Sequence, residues 1–211
     1  MPTVEQARTW YPHNDTVHGF DHVLRVLALA ERLGNELRAD LDVLRAAALL
    51  HDASGAAPGE GSTRSHHEQA SAEFARQVLE NEAWPEPRIR AVEHCIRSHR
   101  YRSREAPATL EAEILFDADK LDVVGAFGVA RTIAYAMQAG EPIFAEPSEV
   151  FLRQNRSAPN EPHSAYHEYL FKLRHVAGRL HTRPARRWAR RRERVLTAFF
   201  EQLAAEARGQ S

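Results

Sequence analysis

Three short stretches of the chain carry residues whose types and spacing could do metal chemistry. The first is the doublet His51-Asp52, which closes the run DVLRAAALLHD. A carboxylate at the end of an apolar helix is costly unless it is paired or binds a cation, and histidine is the commonest side-chain metal ligand. Adjacent helical residues point about 100° apart, yet at a helix end both can reach one ion set between helices. The second stretch is HGFDH, where His18 and His22 stand four apart and share a helical face. The third is LFDADKLD. On a helix Asp117 and Asp119 point to nearly opposite sides, so the spacing predicts that at most one faces the interior. Asp119 shares a face with Leu115 and Asp122, a pattern that suits a ligand with a second carboxylate behind it. Taken singly, each stretch reads as well as a polar helix end facing water.

The elements that must position these groups are helical almost throughout. HGFDHVLRVLALAERLGNEL repeats apolar residues at Val23, Val26, Leu27, Ala30 and Leu33, the spacing of an amphipathic helix. Asp15 and Thr16 stand where its N-cap would fall. DVLRAAALLHD is apolar nearly all round and reads as a buried helix. SGAAPGEGSTRS is a loop by its composition, and residues 54–65 are placed to act as a lid beside His51. Helices are predicted over residues 66–80, 86–99 and 108–138, the last broken near Lys120 or Gly125. Four prolines make 140–162 a linker or surface loop. HSAYHEYLFKLRHVAGRL and PARRWARRRERVLTAFFEQLAAEA then predict two long helices joined at residues 181–184. No stretch alternates like a strand, so the fold class is all-α.

Together the three stretches form an ordered set: a His after a helix start, a His-Asp doublet, and a later Asp. HGFDHVLRVLALA, LRAAALLHDAS and FDADKLDVVGAFGVART resemble, in this order, the HD superfamily of metal-dependent phosphohydrolases, and most nearly its small stand-alone bacterial hydrolases. The resemblance runs from residue 13 to residue 206 and includes the C-terminal helices. It implies an HD-domain helical bundle with additional C-terminal helices: residues 1–140 as the core with the metal site, and 141–211 as a loop and helices packed on the same domain. It implies four metal ligands, His22, His51, Asp52 and Asp119, with Asp52 also orienting the attacking water and His18 and Asp122 behind them. Two imidazoles and two carboxylates suit Mn, Co, Ni, Fe, Zn or Mg. His67 and His99 resemble the extra histidines of members that hold two metals, or they face substrate. His66 and His94 read as bystanders.

Bases near such a site would meet phosphate. Lys120 beside Asp119 and Arg25 one turn after His22 are the first candidates for a catalytic role, and Arg97, Arg100 and Arg102 flank His99. The expected function is hydrolysis of a phosphate ester or phosphoanhydride, with a nucleotide as the small-molecule partner by analogy alone. The alternatives are a non-catalytic nucleotide- or metal-binding regulator and a nucleic-acid-binding helical protein.

Bulk composition narrows the field. A chain of 211 residues fits one domain, or one domain with a helical appendage. Cys95 is the only cysteine, so neither an intrachain disulfide nor a Cys-based zinc site can form. The start MPTVEQARTWYPHND lacks the pattern of a signal peptide, and no run approaches the roughly 18 apolar residues of a membrane span. The expected location is cytoplasmic, with no membrane partner. A formal net charge of −1 argues against holding nucleic acid by bulk electrostatics. The segment RPARRWARRRER nevertheless packs seven arginines around Trp188 against Glu193 alone. Because Trp188, Val195, Leu196, Phe199 and Phe200 look like a packing stripe, it reads as the solvated face of a packed helix. His163, His167, His175 and His181 read as surface or packing residues, and a homo-oligomer is left open.

Overall fold

The computed structural model describes residues 1–11, 19–53, 67–100 and 105–210. His18, the cap expected at Asp15 and Thr16, the loop 54–65, His66 and Arg102 lie outside the described residues. The described chain is helical and contains no strand. It divides into two compact units, one of residues 1–120 with 180–185, the other of residues 121–179 with 186–211.

The first unit opens on α1 (Val4–Arg8), a short helix that the apolar pattern does not announce. Thr3 and Gln6 cap it reciprocally, each side chain bonding the other's backbone N–H. α2 (Phe20–Leu37) buries Phe20, His22, Val23, Val26, Ala30 and Leu33, which confirms the expected stripe. Its N-cap is Gly19, which makes no side-chain cap bond. α3 (Leu41–Leu50) begins at Asp40, whose Oδ1 accepts from the backbone of Asp42 and Val43. It buries Val43, Leu44 and every residue from Ala46 to Leu50, so it is the central helix of the unit. α2 packs on it closely enough that a Cβ on Gly34 would lie 2.6 Å from Leu44 Cδ1.

α4 (His67–Asn81) and α5 (Glu86–Ser98) pack against each other and against α3. Pro85 caps α5 and Pro87 sits in its first turn, where the missing N–H is no loss. Arg76 binds Glu80, Glu86 and Glu93 and fastens the two helices together. Arg88 reaches Asp40 at the start of α3. α6 (Leu110–Asp122) follows, and its residues through Lys120 belong to this unit.

The second unit holds α7 (Ala126–Gln138), α8 (Glu149–Gln154), α9 (Ala165–Phe171) and α10 (Arg183–Ala207) from Arg186 onward. The expected break falls at residues 123–125. Gly125 there has φ 81°, and a Cβ on Gly128 would lie 2.3 Å from the Val123 carbonyl oxygen. Two expectations are corrected. The segment 140–162 is not all loop: Ser148 caps α8, and the Glu161 carboxylate gathers the Ser148 N–H, the Ser148 hydroxyl and the Ala158 N–H into a compact knot. Nor is 163–180 one long helix. The backbone leaves helical geometry at Lys172 (φ −127°), and two short 3-10 turns, Leu173–His175 and Ala177–Arg179, follow. His167 is a packing residue, fully buried against Phe151 and bonded to Ser164 and Glu161. α10 buries Ala189, Leu196, Phe200 and Ala204, and Phe200 stacks on Tyr169. Among the described residues no helix is long and apolar enough to cross a membrane.

Candidate metal centre

The centre is assembled at the ends of helices in the first unit. His51 is the C-cap of α3 and Asp52 is the next residue, so the buried helix delivers both directly into the interior. His22 comes from the first turn of α2, His67 from the first residue of α4, and His99 from the C-cap of α5. His51, His22 and His99 are buried.

Two of the imidazoles have their tautomer fixed by the backbone. His51 Nδ1 donates to the Ala48 carbonyl at 2.8 Å, and His99 Nδ1 donates to the Ile96 carbonyl at 2.5 Å. A carbonyl only accepts, so Nδ1 carries the proton and Nε2 presents a lone pair. Both Nε2 atoms point into the centre. His51 Nε2 lies 3.4 Å from His22 Nε2 and 3.5 Å from Asp52 Oδ2. His99 Nε2 lies 3.5 Å from Asp52 Oδ1, and His67 Nε2 lies 3.4 Å from the same oxygen. One carboxylate thus turns one oxygen toward His51 and the other toward His67 and His99.

Two donor triads result, His22-His51-Asp52 and Asp52-His67-His99, each with its ligand atoms within 4.8 Å of one another. Asp119 joins the first through His22, with Oδ1 at 3.5 Å from Nε2. Its other oxygen bonds Lys120 Nζ, which is itself buried and lies over the Phe116 ring.

The electrostatics suit a cation. Burial depresses the His51 pKa to about 4, helped by the neighbouring His99 and His22, so the ring is neutral and able to ligate. Burial alone would raise the Asp52 carboxyl, but His51, His67 and His99 hold it well below the usual range. Asp119 is likewise lowered, against its burial, by Lys120 and the imidazoles. Asp52 Oδ1 is buried and has no hydrogen-bond partner. A buried carboxylate oxygen without a donor is costly, and a divalent ion among these nitrogen and oxygen donors would satisfy it. The residues present therefore fit a metal.

One sequence expectation fails here. Asp117 and Asp119 are both buried, so both face inward. The reason lies in residues far along the chain: Asp117 accepts the backbone N–H groups of His181 and Thr182, each at 2.8 Å, and ties that turn to α6. Its burial raises its pKa despite these donors. Asp122 is buried and paired with Arg131 at 2.7 Å. Arg25 bonds the exposed Asp21 carboxylate at 2.6 Å. Arg97 binds Glu105, and Arg100 binds Glu68, the neighbour of His67, which links the segments carrying His67 and His99. His94 bonds Glu105 and accepts the Ala108 N–H, a loop tie. Sequence reading passed over Tyr11, whose hydroxyl donates to the Leu49 carbonyl and braces the end of α3. Its signal was faint, an aromatic pair with Trp10 ahead of a proline.

A His-Asp doublet at the end of a central buried helix, with further histidines and an aspartate brought to it from surrounding helices, defines a class. The chain belongs to the HD-domain family, whose model matches residues 19–124. Among individual proteins it is similar to YpgQ of Bacillus subtilis, an uncharacterised protein, with 27% identity over 99% of this chain and 96% of the relative. The crystal structure of YpgQ in complex with ADP matches with a TM-score of 0.72 at 25% identity, covering 97% of each chain. A Lactobacillus plantarum protein of known structure matches over the full length of both chains, with a TM-score of 0.77 and 26% identity. A predicted HD-superfamily hydrolase from an uncultured Thermotogales bacterium matches with a TM-score of 0.64 and 25% identity, over 96% of this chain and 90% of that one.

Proposed function

We propose that the protein is a metal-dependent phosphohydrolase that cleaves a phosphate ester or phosphoanhydride, with a nucleotide as substrate. The observation that carries this reading is the pair of donor triads sharing Asp52, two of whose imidazoles are buried and locked with Nε2 facing inward. His22, His51, Asp52 and Asp119 would hold one divalent ion, and His67 and His99 with Asp52 a second. Such ions, when bound, lower the pKa of water and polarise a phosphoryl oxygen.

The chain's own residues supply the rest. Asp52, held ionised, accepts a proton or orients the attacking water through whichever lone pairs ligation leaves open. Lys120 sets a positive charge beside Asp119, where a phosphoryl oxygen would arrive. Arg25, one turn from His22, would meet a more distal phosphate once it exchanges Asp21 for substrate. The nucleotide assignment draws on the ADP bound by YpgQ and the hydrolase assignment on the family and on the Thermotogales relative.

The test is release of inorganic phosphate and pyrophosphate from a nucleotide panel with Mn, Co, Ni or Mg added. The reading expects metal-stimulated release that EDTA abolishes and that Lys120→Ala cuts by about 100-fold or more, the scale of a lost electrostatic contact in a transition state. Release that persists in EDTA would overturn it.

A further inference from the structure

The arginine-rich start of α10 takes no part in the metal centre. From Arg183 to Arg194 it carries seven arginines and one glutamate, a net charge of +6 on a chain whose formal net charge is −1. The positive charge is therefore concentrated in one segment while the rest of the chain is acidic. At 100° per residue, Arg187, Arg190 and Arg194 fall within about 60° of arc and Arg191 about 40° beyond it. Arg190, Arg191 and Arg194 are exposed, and among the described residues none of the three has an acidic partner. Arg76, Arg88, Arg100, Arg131 and Arg208 are by contrast each held by a carboxylate.

We propose that this face of α10 docks the phosphate backbone of a single-stranded nucleic acid. The uncompensated guanidinium groups of Arg190, Arg191 and Arg194 repel each other, and they gain most from a ligand that brings closely spaced anions and bidentate acceptors. From Arg190 to Arg194 the helix rises about 6 Å, so the three guanidinium groups lie close enough together to meet neighbouring phosphates of one strand. Beside the C-terminal end of the stripe, Val195 and Phe199 leave apolar surface exposed, which offers an unstacked base a place to lie. An anionic membrane is the weaker fit. A helix that enters a bilayer interface needs a free apolar face, and the apolar face of α10 is spent inside the protein on Ala189, Leu196 and Phe200.

The experiment is fluorescence anisotropy of a labelled 20-nucleotide single-stranded DNA of mixed sequence, titrated with the full-length protein in EDTA at several KCl concentrations. Three neutralised phosphates give a slope of log K on log salt of about −2, hence roughly 16-fold weaker binding at 200 mM than at 50 mM. The triple variant R190A/R191A/R194A is expected to lose at least tenfold in affinity and most of the slope. The triple lysine variant at the same positions is expected to keep the slope. An unchanged melting temperature in the alanine variant shows that it folds. Absence of binding at 50 mM KCl, or equal binding by the alanine variant, would overturn the proposal. So would binding to anionic phospholipid vesicles without binding to the oligonucleotide, which would assign the face to membranes instead.

Discussion

Asp117→Ala separates the structural role of the acidic stretch from its chemistry. The Asp117 carboxylate is buried and accepts the His181 and Thr182 N–H groups at 2.8 Å each. Alanine leaves both without an acceptor, and a buried N–H left unsatisfied costs about 1–3 kcal/mol. Part of this is offset, because removing the side chain also relieves a carboxylate that burial disfavours. The expected net loss is about 2–4 kcal/mol. For a chain of this size each kcal/mol moves the melting temperature by about 2–4 °C, so the midpoint should fall by roughly 4–16 °C. The assay is calorimetric unfolding of the metal-free protein at neutral pH. Metal affinity of the folded variant should stay within a few-fold of wild type, because Asp117 faces backbone and not the donor triads. A midpoint within 1 °C of wild type would refute the claim that this carboxylate fastens the 181–182 turn. Loss of metal with an unchanged midpoint would make it a ligand instead.

Three further outcomes follow from the same geometry. His51 has a folded pKa near 4 against an ordinary value of 6.5. Its contribution to stability is thus complete above pH 6.5 and is lost as pH falls toward 4, by about 3 kcal/mol in the metal-free protein. Denaturant unfolding in EDTA at pH 7 and pH 4.5 checks this, with His51→Gln expected to flatten that part of the profile. Wild type is expected to hold two ions and the double variant H67A/H99A one, as read by metal analysis after gel filtration; equal stoichiometry would rule out the second triad as a metal site. Gly128→Ala forces a Cβ to within 2.3 Å of the Val123 carbonyl oxygen. It should cost about 1–3 kcal/mol in thermal unfolding, and a neutral effect would show that the backbone turn at 123–125 yields freely.

Much of this was legible in the sequence because the signals were local. The stripe of α2, the all-apolar α3 and the doublet that closes it depend on spacing within single helices, and the structure places them as the periodicity predicts. The break after Asp122 was announced by Gly125, whose positive φ a side chain would resist. What escaped reading was set by partners distant in the chain. Nothing near Asp117 reveals that residues 181 and 182 supply its hydrogen bonds. The prolines of 140–162 masked α8, which rests on Glu161 gathering donors from Ser148 and Ala158. Helical periodicity overran α9, because apolar spacing continues through 3-10 turns that bury Leu173 and Val176 just as well. In the centre, resemblance alone set His67 and His99 apart from His94, and the physical reason is tertiary: the first two imidazoles reach Asp52 and the third is spent on Glu105.

The most direct test of the account is metal content and nucleotide hydrolysis measured together on wild type and Asp52→Ala, both purified without a metal-affinity tag. Asp52 is the one residue common to both triads, so the account predicts that wild type carries divalent metal and releases phosphate or pyrophosphate, while the folded variant loses both. A wild-type protein that binds no divalent metal, or an Asp52→Ala variant that keeps its metal and its full activity, would contradict it.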